Sequence, residues 1–342
     1  MRRAAVALLL AACAAGAHAA RSKAVVDDPA YAQPTRLVDV GDGRRLNLHC
    51  SGDGAPTVVF DAGLANWSQI WGLVQPVVAR TTRACSYDRA GLGFSDAATR
   101  AGTSANIADD LHRLLHAAGI APPYVLVGHS YGGMNVRMFA NLYRDEVAGL
   151  VLDDPSHEEH FLRVARIYPE VRAIAAAERA HGDRDAQACI DAARAGFVPG
   201  TRVFAQCVSG GSNPRYLDAI SAVYARLQTQ PSFLEARLSE EQAFDGDSAA
   251  QLRLSRRGYG DLPMIVLTRA LSDLPSGLPV DEQGLLVYFL HEDLAGLSRR
   301  GVHRLVPESS HDIHFDQPQA GIDAILEVVA AARNPAGARA VD

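Results

Sequence analysis

Short apolar runs and longer amphipathic stretches alternate along most of this chain. Strand-like runs fall at 36–40, 45–50, 56–61, 83–87, 124–128, 147–153, 264–268 and 302–306, with Gly41-Asp42-Gly43 as a tight turn between the first two. Helix-like spacing marks 68–80, 106–118, 131–143, 282–299 and 318–332. The middle runs are apolar at nearly every position, as expected of parallel strands buried on both faces. This alternation predicts an α/β fold with a mostly parallel central sheet and helices on both faces. One stretch, 155–259, is helix-rich, charged and without clear strands, and reads as an inserted helical cap over the C-terminal edge of the strands. The chain then divides into a polar linker at 20–34, a core in two parts at 35–154 and 260–333, the cap between them, and a tail at 334–342.

The segment Val127-Gly128-His129-Ser130-Tyr131-Gly132 sets a serine between two glycines where a strand-like run meets a helix-like one. A serine at the tip of such a turn needs neighbours without bulk, because the backbone angles there are strained. The pattern is the G-x-S-x-G nucleophile elbow, and it makes Ser130 the candidate nucleophile. Its base should lie late in the chain. His311, in the loop after the last strand-like run, suits that role better than His314, which leads directly into the final helix. A carboxylate must in turn orient the imidazole, and both Asp154, at the end of the run 147–153, and Asp273, after the run 264–268, fall between Ser130 and His311. Asp154 is favoured because the strand end and Pro155 fix it; Asp153 should face the opposite way. Upstream, the run 56–61 enters the turn Asp61-Ala62-Gly63-Leu64, so backbone N–H groups of Leu64 and Tyr131 are candidates for an oxyanion hole. Loss of one such donor typically removes about 3–4 kcal/mol of transition-state stabilisation.

Composition narrows the surroundings of this chemistry. The chain has 342 residues, 48% of them hydrophobic and 21% charged, enough for a sizeable core and unlike a disordered protein. A net charge of −6 without a basic run argues against nucleic acid as a partner. Arg2-Arg3, an apolar run and Ala17-His18-Ala19 read as a secretory signal over 1–19, too short to span a membrane. Leu10-Ala11-Ala12-Cys13 also resembles a lipobox, which would leave a lipid anchor at Cys13; either route exports the protein to a periplasmic or extracellular site. Beyond the signal remain Cys50, Cys85, Cys189 and Cys207, suited to disulfides Cys50–Cys85 and Cys189–Cys207 in an oxidising compartment.

Several other signals read as structure. His157-Glu158-Glu159-His160 lacks the four-residue histidine spacing of H-E-x-x-H and reads as a solvated helix start. His112 and His116 have that spacing, but no glutamate follows His112. Arg89 reads as a loop-tying residue, and Trp67 and Trp71 either line a pocket beside Leu64 or pack their own helix.

The elbow, the Asp61 turn, the stretch Tyr87-Asp88-Arg89-Ala90-Gly91-Leu92-Gly93-Phe94-Ser95 and the late His311 together resemble the α/β-hydrolase superfamily over residues 36–333 apart from the cap. The resemblance implies the α/β-hydrolase fold, a serine esterase-like hydrolase acting on a small-molecule ester, thioester, lactone or amide, and no metal or organic cofactor. Many members begin the oxyanion turn with histidine where this chain has Asp61, so the hydrogen bonding there must differ. The same triad also serves perhydrolase, haloperoxidase-like or lyase chemistry, and the fold occurs in non-catalytic binding members.

Overall fold

The computed structural model describes residues 25–208, 214–270 and 280–334. The expected signal with Cys13, the alternative acid Asp273 and all but the first residue of the tail lie outside the described residues. Each strand-like run forms a strand of one eight-stranded sheet: β1 (Leu37–Asp39), β2 (Arg45–Ser51), β3 (Thr57–Asp61), β4 (Ala84–Tyr87), β5 (Tyr124–His129), β6 (Val147–Asp153), β7 (Met264–Thr268) and β8 (Gly301–Leu305). Their order is β1-β2-β4-β3-β5-β6-β7-β8. β2 runs antiparallel to both its neighbours, and every other pairing is parallel.

The apolar runs are continuous because the sheet has a core on each face. Val59, Leu126 and Leu152 pack into one core with Leu111, Leu114 and Phe139, while Val58, Phe60, Val125, Val127 and Val151 pack into the other with Trp71, Ile325 and Val328. Alternate residues of a strand point to opposite faces, so both sets must be apolar. The helices, in chain order, are α1 (Gln75–Val78), α2 (Ser104–Ala117), α3 (Tyr131–Leu142), α4 (His160–Ile167), α5 (Val171–Ala195), α6 (Arg202–Cys207), α7 (Asp218–Leu227), α8 (Pro231–Ala243), α9 (Ala249–Ser255), α10 (Val280–Ala295), α11 (Ile313–Asp316) and α12 (Pro318–Arg333). α2 begins at Thr103, whose hydroxyl accepts the Asn106 N–H, and buries Ile107, Leu111, Leu114 and Leu115 at helical spacing. α4 to α9 all fall between β6 and β7.

Three expectations need correction. The stretch 68–80 is not one helix: a 3-10 turn at Ser68–Trp71 is followed by the short α1. Gly72 lies so close to Val26 that a Cβ would meet its Cγ1 at 2.3 Å, and Pro76, lacking an N–H, belongs to a helix start rather than an interior. The described part of the linker, 25–34, packs onto the body: Val26 and Tyr31 are buried, and Val26 exchanges backbone hydrogen bonds with Arg215 and Leu217. Burial of these apolar side chains outweighs the polar character of the surrounding stretch. Finally, the turn at His157 and Glu158 is buried rather than solvated, because Glu158 accepts from Arg137 at 2.8 Å and from Arg256 at 2.7 Å.

The disulfides pair as expected. Cys50 and Cys85 face each other across β2 and β4, and Cys189 of α5 joins Cys207 of α6.

Acid sensitivity follows from two buried histidines, His157 just before α4 and His291 on α10. Burial pulls His157 down to about 2 and His291 to about 4, and His291 is held neutral, its Nε2–H donating to Pro155 O at 2.8 Å and its Nδ1 facing Thr268 Oγ1 at 2.6 Å. An unfolded histidine takes up its proton near pH 6.5 while these two refuse it, so stability is complete above that pH and declines as pH falls through it. We expect a loss of roughly 2 kcal/mol between about pH 7 and pH 5.5. Thermal melting across that window checks it; a flat melting temperature would contradict the assignment.

Candidate active site

β5 ends at His129 and α3 begins at Tyr131, leaving Ser130 alone in the turn with φ 51° and ψ −117°. The two glycines of the motif are required by close backbone approach. A Cβ on Gly128 would sit 2.4 Å from Gly132 O, and one on Gly132 would sit 2.3 Å from Asp61 O. The strained serine is held from three sides: its N–H donates to Asp153 O at 3.2 Å, and its carbonyl accepts from Gly133 N and Ser156 N, both at 2.9 Å. Among the described residues, the Ser130 hydroxyl has Ser156 Oγ as its hydrogen-bond partner, at 3.4 Å. Tyr131 opens the first turn of α3, where N–H groups have no partner within the helix.

Among the described residues, Asp154 meets His311. Its Oδ2 lies 2.5 Å from His311 Nδ1, and its Oδ1 accepts the Arg269 N–H at 3.1 Å. Asp154 stands just past β6 with φ 42°, and its own N–H donates to Leu267 O at 3.0 Å, so the end of β7 holds both its backbone and its carboxylate. Burial alone would raise its pKa, but the bond from His311 and the charges of His311, His291 and Arg269 outweigh that and hold it below the usual carboxylate value. The carboxylate is 3% exposed and the imidazole 41%, which leaves His311 with one end anchored and the rest of the ring open.

Asp153 does turn the other way, and it finds the other histidine. His314 Nδ1 lies 2.9 Å from Asp153 Oδ2, both groups buried. His314 is therefore engaged by Asp153 rather than by Asp154. Between the two pairs lies His129, whose Nε2–H donates to the His311 carbonyl at 3.0 Å. Burial, then the nearby His314 and His311, push its pKa well below the ordinary histidine value, so it stays neutral. Among the described residues, His129 Nδ1 and His314 Nε2 have no hydrogen-bond partner, and one ligating atom from each of His129, Asp312 and His314 falls within 4.8 Å of the others.

The turn after β3 is built around Arg89. Its guanidinium donates to Asp61 Oδ1 at 2.8 Å, Ala62 O at 2.7 Å and Gly63 O at 2.7 Å, and on its other edge to Glu240 of α8 at 2.6 and 3.0 Å. Glu240 also accepts the Ala65 N–H at 2.8 Å, and the Tyr87 hydroxyl donates to Asp61 at 2.6 Å. Asp61 thus takes a place that suits a cation clamp rather than a histidine. Burial raises its pKa, opposed chiefly by Arg89. Among the described residues, nothing accepts the Leu64 N–H, which follows the clamped carbonyls. Trp67 packs, stacking on Tyr224 at 4.8 Å, and Trp71 lies between Phe60 and His314.

Ser156, Arg269 and Glu240 carry no sequence signal comparable to the elbow, and His129 stands within it at a position the motif leaves open. Ser156 was in principle legible, two residues after Asp154; Glu240, 151 residues from Arg89, was not.

A family model described as "alpha/beta hydrolase fold" matches residues 56–181. A protein of Hormonema carpetanum named "Probable transporter efuK" is 34% identical over 136 residues, covering 37% of this chain and 19% of that protein. The chain spans less than half the length of the curated relatives it matches first. A thermophilic esterase from Thermogutta terrifontis shares the fold with a TM-score of 0.59 at 20% identity, covering 88% of this chain and 99% of the esterase. The epoxide hydrolase CorEH does so with a TM-score of 0.58 at 18% identity, covering 86% and 98%.

The Arg89 cluster makes a stability prediction. Arg89→Met leaves Asp61 and Glu240 buried without their cation and should lower unfolding free energy by about 3–5 kcal/mol. Urea denaturation measures this, and a loss under about 1 kcal/mol would mean the cluster is not a structural node.

Proposed function

We propose that this chain, which has the α/β-hydrolase fold and matches a model of that fold over residues 56–181, is an exported serine hydrolase that cleaves an ester, thioester, lactone or amide of a small molecule through an acyl-enzyme on Ser130. The observation that carries this reading is the 2.5 Å bond between His311 and Asp154, formed at the strand ends beside a serine in a strained turn. Asp154 keeps the proton of the neutral imidazole on Nδ1, leaving Nε2 as the base. His311 takes the proton from Ser130 as Oγ attacks the carbonyl carbon. The Leu64 and Tyr131 N–H groups receive the oxyanion, and the imidazolium then protonates the leaving group. Water attacks the acyl-enzyme with His311 again as base, and the acid product leaves Ser130 free.

The elbow residue separates this reading from epoxide opening by an enzyme carboxylate, which would place aspartate where Ser130 stands. The helical segment between β6 and β7 reaches the oxyanion turn through Glu240, which favours a role for it in choosing the substrate. Disulfides Cys50–Cys85 and Cys189–Cys207 support an oxidising compartment. No described helix is long and apolar enough to cross a membrane.

Labelling by a fluorophosphonate probe should occur on the wild type and vanish in Ser130→Ala. Turnover of acyl esters of graded chain length should fall by about 10⁴ in Asp154→Asn, through loss of the productive tautomer. Labelling that persists in Ser130→Ala overturns the nucleophile; near-full activity of Asp154→Asn together with loss in Asp273→Asn overturns the acid.

A further inference from the structure

We propose that His112, His116 and Glu146 form a site for one divalent transition-metal ion of the zinc class, remote from Ser130. His112 and His116 stand one turn apart at the C-terminal end of α2, and their side chains meet, with ring centroids 4.3 Å apart. The carboxylate missing from their helix comes from Glu146, in the turn Arg144–Glu146 that leads into β6. His112 Nε2 lies 3.0 Å from Glu146 Oε1, and His116 Nε2 lies 3.3 Å from each carboxylate oxygen.

The His116 separations match those of ligands around a single ion, and the His112 one is a few tenths of an ångström shorter. With metal–nitrogen and metal–oxygen bonds of about 2.0–2.2 Å, tetrahedral ligand atoms stand about 3.3–3.5 Å apart. One ligating atom from each of the three side chains lies within 4.8 Å of the others, a span that side-chain rotation alone can adjust around one ion. Its orientation is also fixed in advance, since His112 stacks on Tyr143 with centroids 3.9 Å apart and planes 7° from parallel. In the metal-free state each Nε2–H donates to Glu146. On binding, the imidazole proton resides on Nδ1, and Nε2 gives its lone pair to the ion. Imidazoles supply most of the donor set, which selects zinc-class ions over calcium or magnesium. With three protein ligands at a partly exposed position, a water molecule completes the shell.

Glu146 precedes β6, whose far end leads to Asp154, so about 20 Å of strand separates the cluster from the triad residues. Binding there holds the end of α2 to the entry of β6, and the consequence is stability rather than chemistry. This inference does not rest on the proposed hydrolase activity.

The test uses the mature chain without a histidine tag, stripped with EDTA and titrated with Zn(II) against a chelating dye, then with Co(II) followed by its visible absorption. One equivalent should bind with a dissociation constant below about 10 µM, judged against ordinary site strengths, and the melting temperature should rise on loading. His116→Ala and Glu146→Gln should each weaken binding at least tenfold while folding normally, as their partly exposed positions permit. Absence of saturable binding overturns the proposal. So does retention of the ion by the His112→Ala/His116→Ala double variant, or its loss in Asp312→Asn with both α2 histidines intact, which would assign it to the buried His129 and His314.

Discussion

The buried guanidinium of Arg89 is the constraint on which the arrangement around Ser130 depends. Two carboxylates, Asp61 and Glu240, sit with it where water is excluded, and the single guanidinium is the cation that both of them share. Desolvating such ions is expensive, and it is offset here because the planar fork meets matched acceptors on both edges. Each hydrogen bond to Ala62 and Gly63 also removes a conformational choice from the turn that carries Leu64. The arginine thereby converts a loop of small residues into a fixed dipole array, which is the property an oxyanion site requires.

At the other side of the serine, period-two alternation does comparable work. Asp153 and Asp154 are neighbours in sequence yet serve separate histidines, because β6 ends between them and their side chains leave in opposite directions. His129 then links the two pairs by holding the His311 carbonyl. The imidazole beside Asp154 is thus anchored at its ring and at its backbone, while the rest of the ring remains exposed. Such anchoring with one open edge suits a group that exchanges a proton with a bound molecule.

The sheet was legible in the sequence because its central strands bury both faces: Thr57–Asp61, Tyr124–His129 and Met264–Thr268 are buried throughout, and their shortness and turn-rich flanks favour strand over helix. Ser130 and its glycines were legible because the turn admits so few residue types. The break in 68–80 was harder, since Gly72 answers to Val26, a partner distant along the chain. The choice of Asp154 could be argued from its position at a strand end, but the bond to His311 is a tertiary fact. Glu240 illustrates the limit: in sequence it is one acid among several on a helix, and only folding reveals that it faces Arg89. The pairing of His112 and His116 with Glu146 is of the same kind.

The separation of these partners along the chain has a kinetic meaning. Arg89 reaches Asp61 across 28 residues but Glu240 across 151, and Asp154 reaches His311 across 157. Closing loops of that length is a late event in folding, because their ordering entropy must be met by contacts already in place. During synthesis, the segment bearing the serine and its strained turn emerges long before the α8 carboxylate and the imidazole that complete its surroundings. On the proposed function, the nascent chain therefore carries its serine for an extended interval before the imidazole proposed to activate it has been made.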